Sequence, residues 1–181
     1  MIIIRDARDG DVAPIAALQA ESWRSGYRDI LSDEYLETNV HQERLAAWQS
    51  RFSEAFQKKM FVLVSQANAT LAGFVCVFPD EDAVFGSYLD NLHVLPAMTG
   101  QGIGRKLLSE AAKRLVATGS RVGLYLWVIE QNQRALQFYE RAGAQVVGSR
   151  VNTMPDGRRV PALRCFWHRP QMLVLPPAIG S

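Results

Sequence analysis

Two periodicities alternate along the chain: short runs in which apolar residues crowd together or repeat every second position, and longer runs in which they return every three or four. Ile2, Ile3 and Ile4 open it as a short buried strand. After the turn chemistry of Asp9-Gly10-Asp11, residues Val12, Ile15, Ala16, Leu18 and Trp23 fall at helical spacing. Pro14 sits in the first turn, where it is tolerated, and either aspartate offers a helix cap. A second helical stretch, expected in two pieces over 32–56, puts Tyr35, Leu36, Leu45, Trp48 and Phe52 on one side. The β-branched and aromatic runs at 60–64 and 71–78 read as a hairpin, and 88–94 as a strand ended by Pro96. From Ile103 the helical period returns, with Leu107, Leu108, Ala111, Ala112 and Leu115 on one face and Arg105, Lys106, Glu110 and Lys113 on the other. A strand at 122–128 and a helix at 133–142 follow, with Gly143 as the helix stop. Strands at 146–151 and 160–167 flank Met154-Pro155-Asp156-Gly157, which is strong turn chemistry. The tail from Pro170, with Pro176-Pro177, is expected to be a mobile end.

That order describes a mixed α/β sheet layered with helices, and the strand-helix-strand units of the second half call for right-handed crossovers. Composition adds limits. A chain of 181 residues has the length of one domain, and 48% hydrophobic content excludes a disordered or collagenous chain. Lys+Arg of 20 against Asp+Glu of 18 leaves +2, which gives no general reason to expect nucleic acid or an acidic membrane as partner. Cys76 and Cys165 are isolated, and His41, His93 and His168 are scattered, so no disulfide framework or metal site is expected. The N-terminal apolar run is too short for a signal peptide, and no run approaches the ~20 residues of a bilayer span. A cytoplasmic, reduced protein is the expectation.

The chemistry is written at two places. The first is Leu92-His93-Val94-Leu95-Pro96, where a strand ends, followed by Gly100, Gly102 and Gly104, three alternate glycines that open the amphipathic helix. Glycine permits tight turning and close ligand approach, and a helix start presents unpaired N–H groups at its positive end, so the arrangement suits a phosphate or pyrophosphate. A dinucleotide fingerprint fails because Arg105 stands at its third glycine, and Gly104-Arg105-Lys106 does not supply a P-loop.

The second place is Asn132-x-x-Ala135-x-x-Phe138-Tyr139-Glu140-x-x-Gly143, following the next strand. Together with Thr99-Gly100-Gln101-Gly102-Ile103-Gly104 it resembles the signatures of the GNAT superfamily of acetyl-CoA-dependent N-acetyltransferases, over about residues 2–168. Thr99 departs from the Arg or Gln usual there. The resemblance implies one N-acetyltransferase domain over 2–168 with a tail at 169–181. It also implies a central, mixed, mostly antiparallel sheet of about seven strands, helices on both faces and the fourth and fifth strands splayed.

It further implies roles. Gly100, Ile103 and the amides of Gln101, Gly102, Gly104 and Arg105 would cradle the coenzyme pyrophosphate, while Leu92, His93 and Val94 would pair with the pantetheine arm as an added strand does. Asn132 would touch the same arm while also capping its helix. Tyr139 would be the general acid for the departing thiolate. Asp90 is the first candidate for the base, sharing a strand face with Leu92 and Val94, and Glu130 is the second; Glu21 would shape the pocket instead. His93, on the other face, reads as structural. The acceptor site would be built between the first two helices from one or two of Trp23, Tyr27, Tyr35 and Trp48. The expected reaction is direct attack of a small-molecule amine on acetyl-CoA, neither cysteine falling in a signature. A non-catalytic acyl-CoA sensor and an enzyme acting on protein N-termini or lysines are the rival readings. A homodimer is common in the family, and Met172-Leu173-Val174-Leu175 offers an apolar interface.

Overall fold

A computed structural model describes residues 2–53, 59–68, 70–120 and 123–176. Seven strands form one sheet in the order β1-β2-β3-β4-β5-β7-β6. They are β1 (Ile2–Asp6), β2 (Phe61–Ala67), β3 (Thr70–Asp82), β4 (Gly86–Val94), β5 (Leu124–Ile129), β6 (Gln145–Thr153) and β7 (Arg159–Trp167). Every pairing is antiparallel except β4 with β5. The end of the second helical stretch and the first residue of the 122–128 strand lie outside the described residues; the remaining strands appear where the period placed them, most of them longer.

Helices cover both faces. On one, α3 (Ile103–Ala117) and α4 (Gln133–Arg141) close the largest core, where Leu107, Leu108, Ala111 and Leu115 meet Val75, Val77, Leu124 and Leu126. On the other, α1 (Val12–Gly26) and α2 (Val40–Arg51) cover Val62, Val64, Phe74 and Cys76 with Ile15, Ala16, Leu18 and Trp48. A turn of π-helix, Tyr35–Asn39, leads into α2, so the second stretch is indeed in two pieces. Among the described residues no helix is long and apolar enough to cross a membrane.

Two local expectations are overturned. Asp11 does not cap α1 with its side chain: the carboxylate accepts two bonds from the Arg5 guanidinium, at 2.7 and 3.0 Å, and one from the Arg8 N–H at 2.8 Å. The Arg5 bonds hold its pKa below the usual carboxylate range, outweighing the effect of burial. The tail, over its described part, is also not loose. Pro170–Leu173 forms a short 3-10 turn, Leu173 is fully buried in the main core, and the Leu175 N–H donates to Ser109 Oγ at 2.8 Å. Leu173 is therefore spent inside the subunit rather than free for an interface.

Gly73 connects the fold to the site. A Cβ there would stand 2.8 Å from the His93 carbonyl and 3.0 Å from a methyl of Leu107, so only glycine lets α3 press on β3 beside the end of β4. Gly73→Ala is expected to cost about 1–3 kcal/mol, as overpacking does. Gly148→Ala, where a Cβ meets nothing within 4 Å, is expected to stay within about 0.5 kcal/mol. Urea unfolding of the two variants checks this, and equal midpoints would refute the account of Gly73.

Candidate active site

Among the described residues, strands β4 and β5 pair only at Ser87↔Leu124 and Tyr88↔Tyr125. Beyond those residues β4 runs on to Val94 and β5 to Ile129 without pairing to each other. The gap opens into a cavity of about 560 Å³, walled by the β4 edge at 90–94, by Trp127 and Val128, and by the ends of α1, α3 and α4.

At its floor the chain enters α3 through two left-handed residues, Gly100 at φ +79° and Gly102 at φ +76°. A Cβ would meet nothing within 4 Å at either position, so the backbone conformation selects glycine there and not the space. The first helical bond runs from the Lys106 N–H to the Gly102 carbonyl at 3.0 Å. The N–H groups of Ile103, Gly104 and Arg105 therefore have no acceptor within the helix. Arg105 also carries a buried guanidinium nitrogen, Nη1, with no hydrogen-bond partner. Arg105, Arg134 and Arg141 all line the cavity, and Asp90 is the single carboxylate among the described lining residues. The site fits a ligand bearing several negative charges. Gln101 is exposed and stands outside the lining, and Thr99 spends its hydroxyl on the Pro96 carbonyl at 2.9 Å.

Asp90 does not lie as alternation predicts. Cys76 faces Asn91 and Val77 faces Leu89, so Asp90 is the extra residue of a bulge. The bulge turns Asp90 and Asn91 together toward α1 and α2, where their partners lie, while Leu92 and Val94 pack on the α3 side. Asp90 thus does not share their face. Its carboxylate accepts from Arg51 Nη1 and from Asn91 Nδ2. The Asn91 donation ends a chain that starts at Trp48, whose Nε1–H donates to Gln19 Oε1 at 2.7 Å; Gln19 Nε2 then donates to Asn91 Oδ1 at 2.7 Å. An indole can only donate, so both amides have one allowed orientation and Asp90 must be the acceptor at the end. The other two carboxylates do not reach the cavity. Glu130 is exposed beyond β5, with its backbone engaged to Pro161 and Gln133, and Glu21 is exposed on α1. The α1 residues that do line the cavity include Ser22, Trp23 and Tyr27. Tyr35 and Trp48, at 4% and 1% exposure, are core.

His93, read from the sequence as structural, faces α1 and lines the cavity. Its Nδ1 is 2.9 Å from Ser22 Oγ, and its ring lies 5.4 Å from that of Phe74. Burial, then the charge of Arg44, lowers its pKa to about 4. Tyr139 is buried between Phe138 and Trp167, with both rings edge-on. Burial first, then Tyr27, pushes its phenol above the ordinary value, so it holds its proton at neutral pH. Asn132 caps α4 by accepting from the Ala135 N–H at 3.1 Å. Both cysteines are buried; desolvation raises the Cys76 thiol and pushes Cys165 up to about 11. Neither is suited to nucleophilic attack at neutral pH.

The sequence profile of the acetyltransferase (GNAT) family matches residues 20–144. An uncharacterized N-acetyltransferase of Bacillus subtilis (strain 168), YuaI, is 30% identical over 142 residues, 77% of this chain and 78% of that protein. Among solved structures, the PaiA N-acetyltransferase of Thermoplasma acidophilum in complex with coenzyme A aligns with a TM-score of 0.71 at 24% identity, covering 90% of this chain and 98% of that one. YncA of Salmonella typhimurium, solved with acetyl-CoA, aligns with a TM-score of 0.65 at 20% identity, covering 100% and 99%.

The half-buried imidazole of His93 couples stability to pH. An unfolded histidine titrates near 6.5 and His93 near 4, so between those values the unfolded chain binds the proton that the folded chain refuses. His93's contribution is whole above about pH 6.5 and is lost as pH falls toward 4. In urea melts at pH 7.5 and 5, His93→Gln is expected to lose less stability on acidification than the parent; equal losses would refute the coupling.

Proposed function

The chain belongs to the GNAT acetyltransferase family, and from that premise we propose that it moves the acetyl group of acetyl-CoA to a primary amine of a small molecule by direct attack in a ternary complex. The observation that carries this reading is the unpaired gap between β4 and β5 meeting the glycine-opened start of α3. One wall offers the open edge of a strand and the floor offers unpaired amides, which suits a ligand with an amide-bearing arm and a pyrophosphate end. The N–H groups of Ile103, Gly104 and Arg105 and the orphaned Arg105 nitrogen take the pyrophosphate, with Arg134 and Arg141 on the same wall. Leu92, His93 and Val94 pair by backbone with the pantetheine arm, and Asn132 touches it from the start of α4. The 2–168 span acts as one domain.

In the reaction, the amine nitrogen bonds to the thioester carbon and the Val94 N–H stabilises the oxyanion. Tyr139, kept protonated by burial, gives its proton to the sulfur as the C–S bond breaks. A detour through an acetyl-cysteine is disfavoured, because both thiols are buried and held protonated. Trp23 and Tyr27, 5.3 Å apart between ring centres, offer an apolar wall for the body of the acceptor.

Acetyl-CoA titration by calorimetry and thiol release over a panel of small amines test the reading. Tyr139→Phe is expected to lower kcat about 100-fold with acetyl-CoA Kd within twofold of the parent. Gly102→Val, which forces a β-branched residue into left-handed backbone, is expected to weaken acetyl-CoA binding instead. No acetyl-CoA binding would refute the reading, and binding without turnover of any small amine would refute its substrate class.

A further inference from the structure

Among the described residues lining the cavity, the ionisable groups are three arginines, Asp90, His93, Tyr27 and Tyr139. The arginines hold no lone pair for a proton. Asp90 carries two donors, one of them the Arg51 guanidinium, so a proton arriving there would displace an ion pair. Tyr139 is the proton donor of the reading above, and burial raises the Tyr27 phenol above its ordinary value, so Tyr27 too keeps its proton. That leaves the imidazole. One of its nitrogens, Nδ1, is occupied by Ser22 from α1, which leaves Nε2 for a ligand in the cavity.

We propose that His93 is the proton acceptor for the attacking amine, with its Nδ1–H donated to Ser22 Oγ so that Nε2 presents a bare lone pair to the acceptor side of the cavity. The inference rests on the acetyl-transfer reading. The groups around the ring accord with it: α1 contributes the Ser22 hydroxyl, β3 the Phe74 ring, α2 the positive Arg44, and the carboxylate of β4, Asp90, is neutralised by Arg51. Nothing there stabilises an imidazolium before reaction. The ring therefore stays neutral in front of the incoming amine and accepts a proton only when C–N bond formation has made the nitrogen acidic.

The step balances. The amine lone pair forms the C–N bond and the carbonyl electrons move to oxygen. The nitrogen's extra proton passes to Nε2, the C–S bond breaks, and the sulfur takes the Tyr139 proton. The imidazolium then loses its proton and the phenolate regains one through water, leaving an acetamide and free coenzyme thiol.

The test has two arms on the full chain. Nitrogen-15 NMR of the ring, assigned with a His93→Gln control, is expected to show Nδ1 protonated, Nε2 bare and no titration between pH 8 and 5. A protonated Nε2, or titration near pH 6.5, overturns the proposal whether or not an amine substrate has been found. With an amine that the parent turns over, His93→Phe is expected to lower kcat at least 100-fold while acetyl-CoA Kd stays within twofold. Ser22→Ala is expected to lower kcat about tenfold and to mix the two tautomers. A His93→Phe or His93→Gln enzyme whose kcat stays within threefold of the parent overturns the proposal. Failure of the parent to bind acetyl-CoA would instead fall on the underlying reading, with the NMR arm still deciding His93.

Discussion

Two residue pairs hold β4 to β5, and the place where that ladder stops fixes everything downstream. A parallel pair that continued would satisfy its own backbone groups and close the sheet. Because it stops, the β4 edge at 90–94 and the β5 residues Trp127 and Val128 become the walls of a cleft, and the helices that follow each strand bring their starts to its floor. The bulge at Asp90 belongs to the same constraint. It turns the strand just as it leaves its neighbour and re-aims the side chains that follow, so the α3 side and the α1 side of the cleft receive different residues from one strand.

Charge is distributed in a way that totals conceal. A net +2 is close to nothing, and the family resemblance implied that helix-start amides and glycines would chiefly hold an anionic ligand. The cavity nevertheless gathers three arginines against one carboxylate, and that carboxylate is already paired. Binding of a polyanion is thus a local matter of where a few guanidinium groups are held, one of them with a buried nitrogen left unbonded. On the α1 side the groups are aromatic or neutral: Trp23, Tyr27, Ser22 and an imidazole that desolvation keeps uncharged.

Much of this was legible in the chain. Periodicity located most of the strands and helices because they bury apolar residues, although β6 is exposed along nearly all its length, and the left-handed glycines announced the start of α3 because few other residues adopt that backbone. Tyr139 and Asn132 stood in a signature with its own helix. What could not be read depends on contacts across long separations. Strand alternation placed Asp90 with Leu92 and Val94, but a bulge set by the β3 register moved it to the opposite face. Its partner Arg51 is 39 residues away, and no local pattern couples the two. Glu130 looked catalytic from its nearness to Asn132 in sequence, yet the turn after β5 leaves it in solvent. His93 was set aside as the off-face residue, and the presence of Ser22 on a helix 71 positions earlier is what gives it an environment. The tail read as loose because its prolines break regular structure, while the burial of Leu173 depends on a gap in the α3 core that only the folded protein contains.

The chain of donors from Trp48 through Gln19 and Asn91 to Asp90 has a consequence for how such a protein can change over evolutionary time. Each link runs in one direction, so no amide can flip to rescue a neighbour that has been replaced. Substitution of the indole strands the oxygen of Gln19, and loss of Gln19 strands two partners on different elements. Drift at these four positions is therefore correlated: neutral paths pass through joint replacements, and a lineage that alters one must soon alter the others or lose the strand geometry they hold.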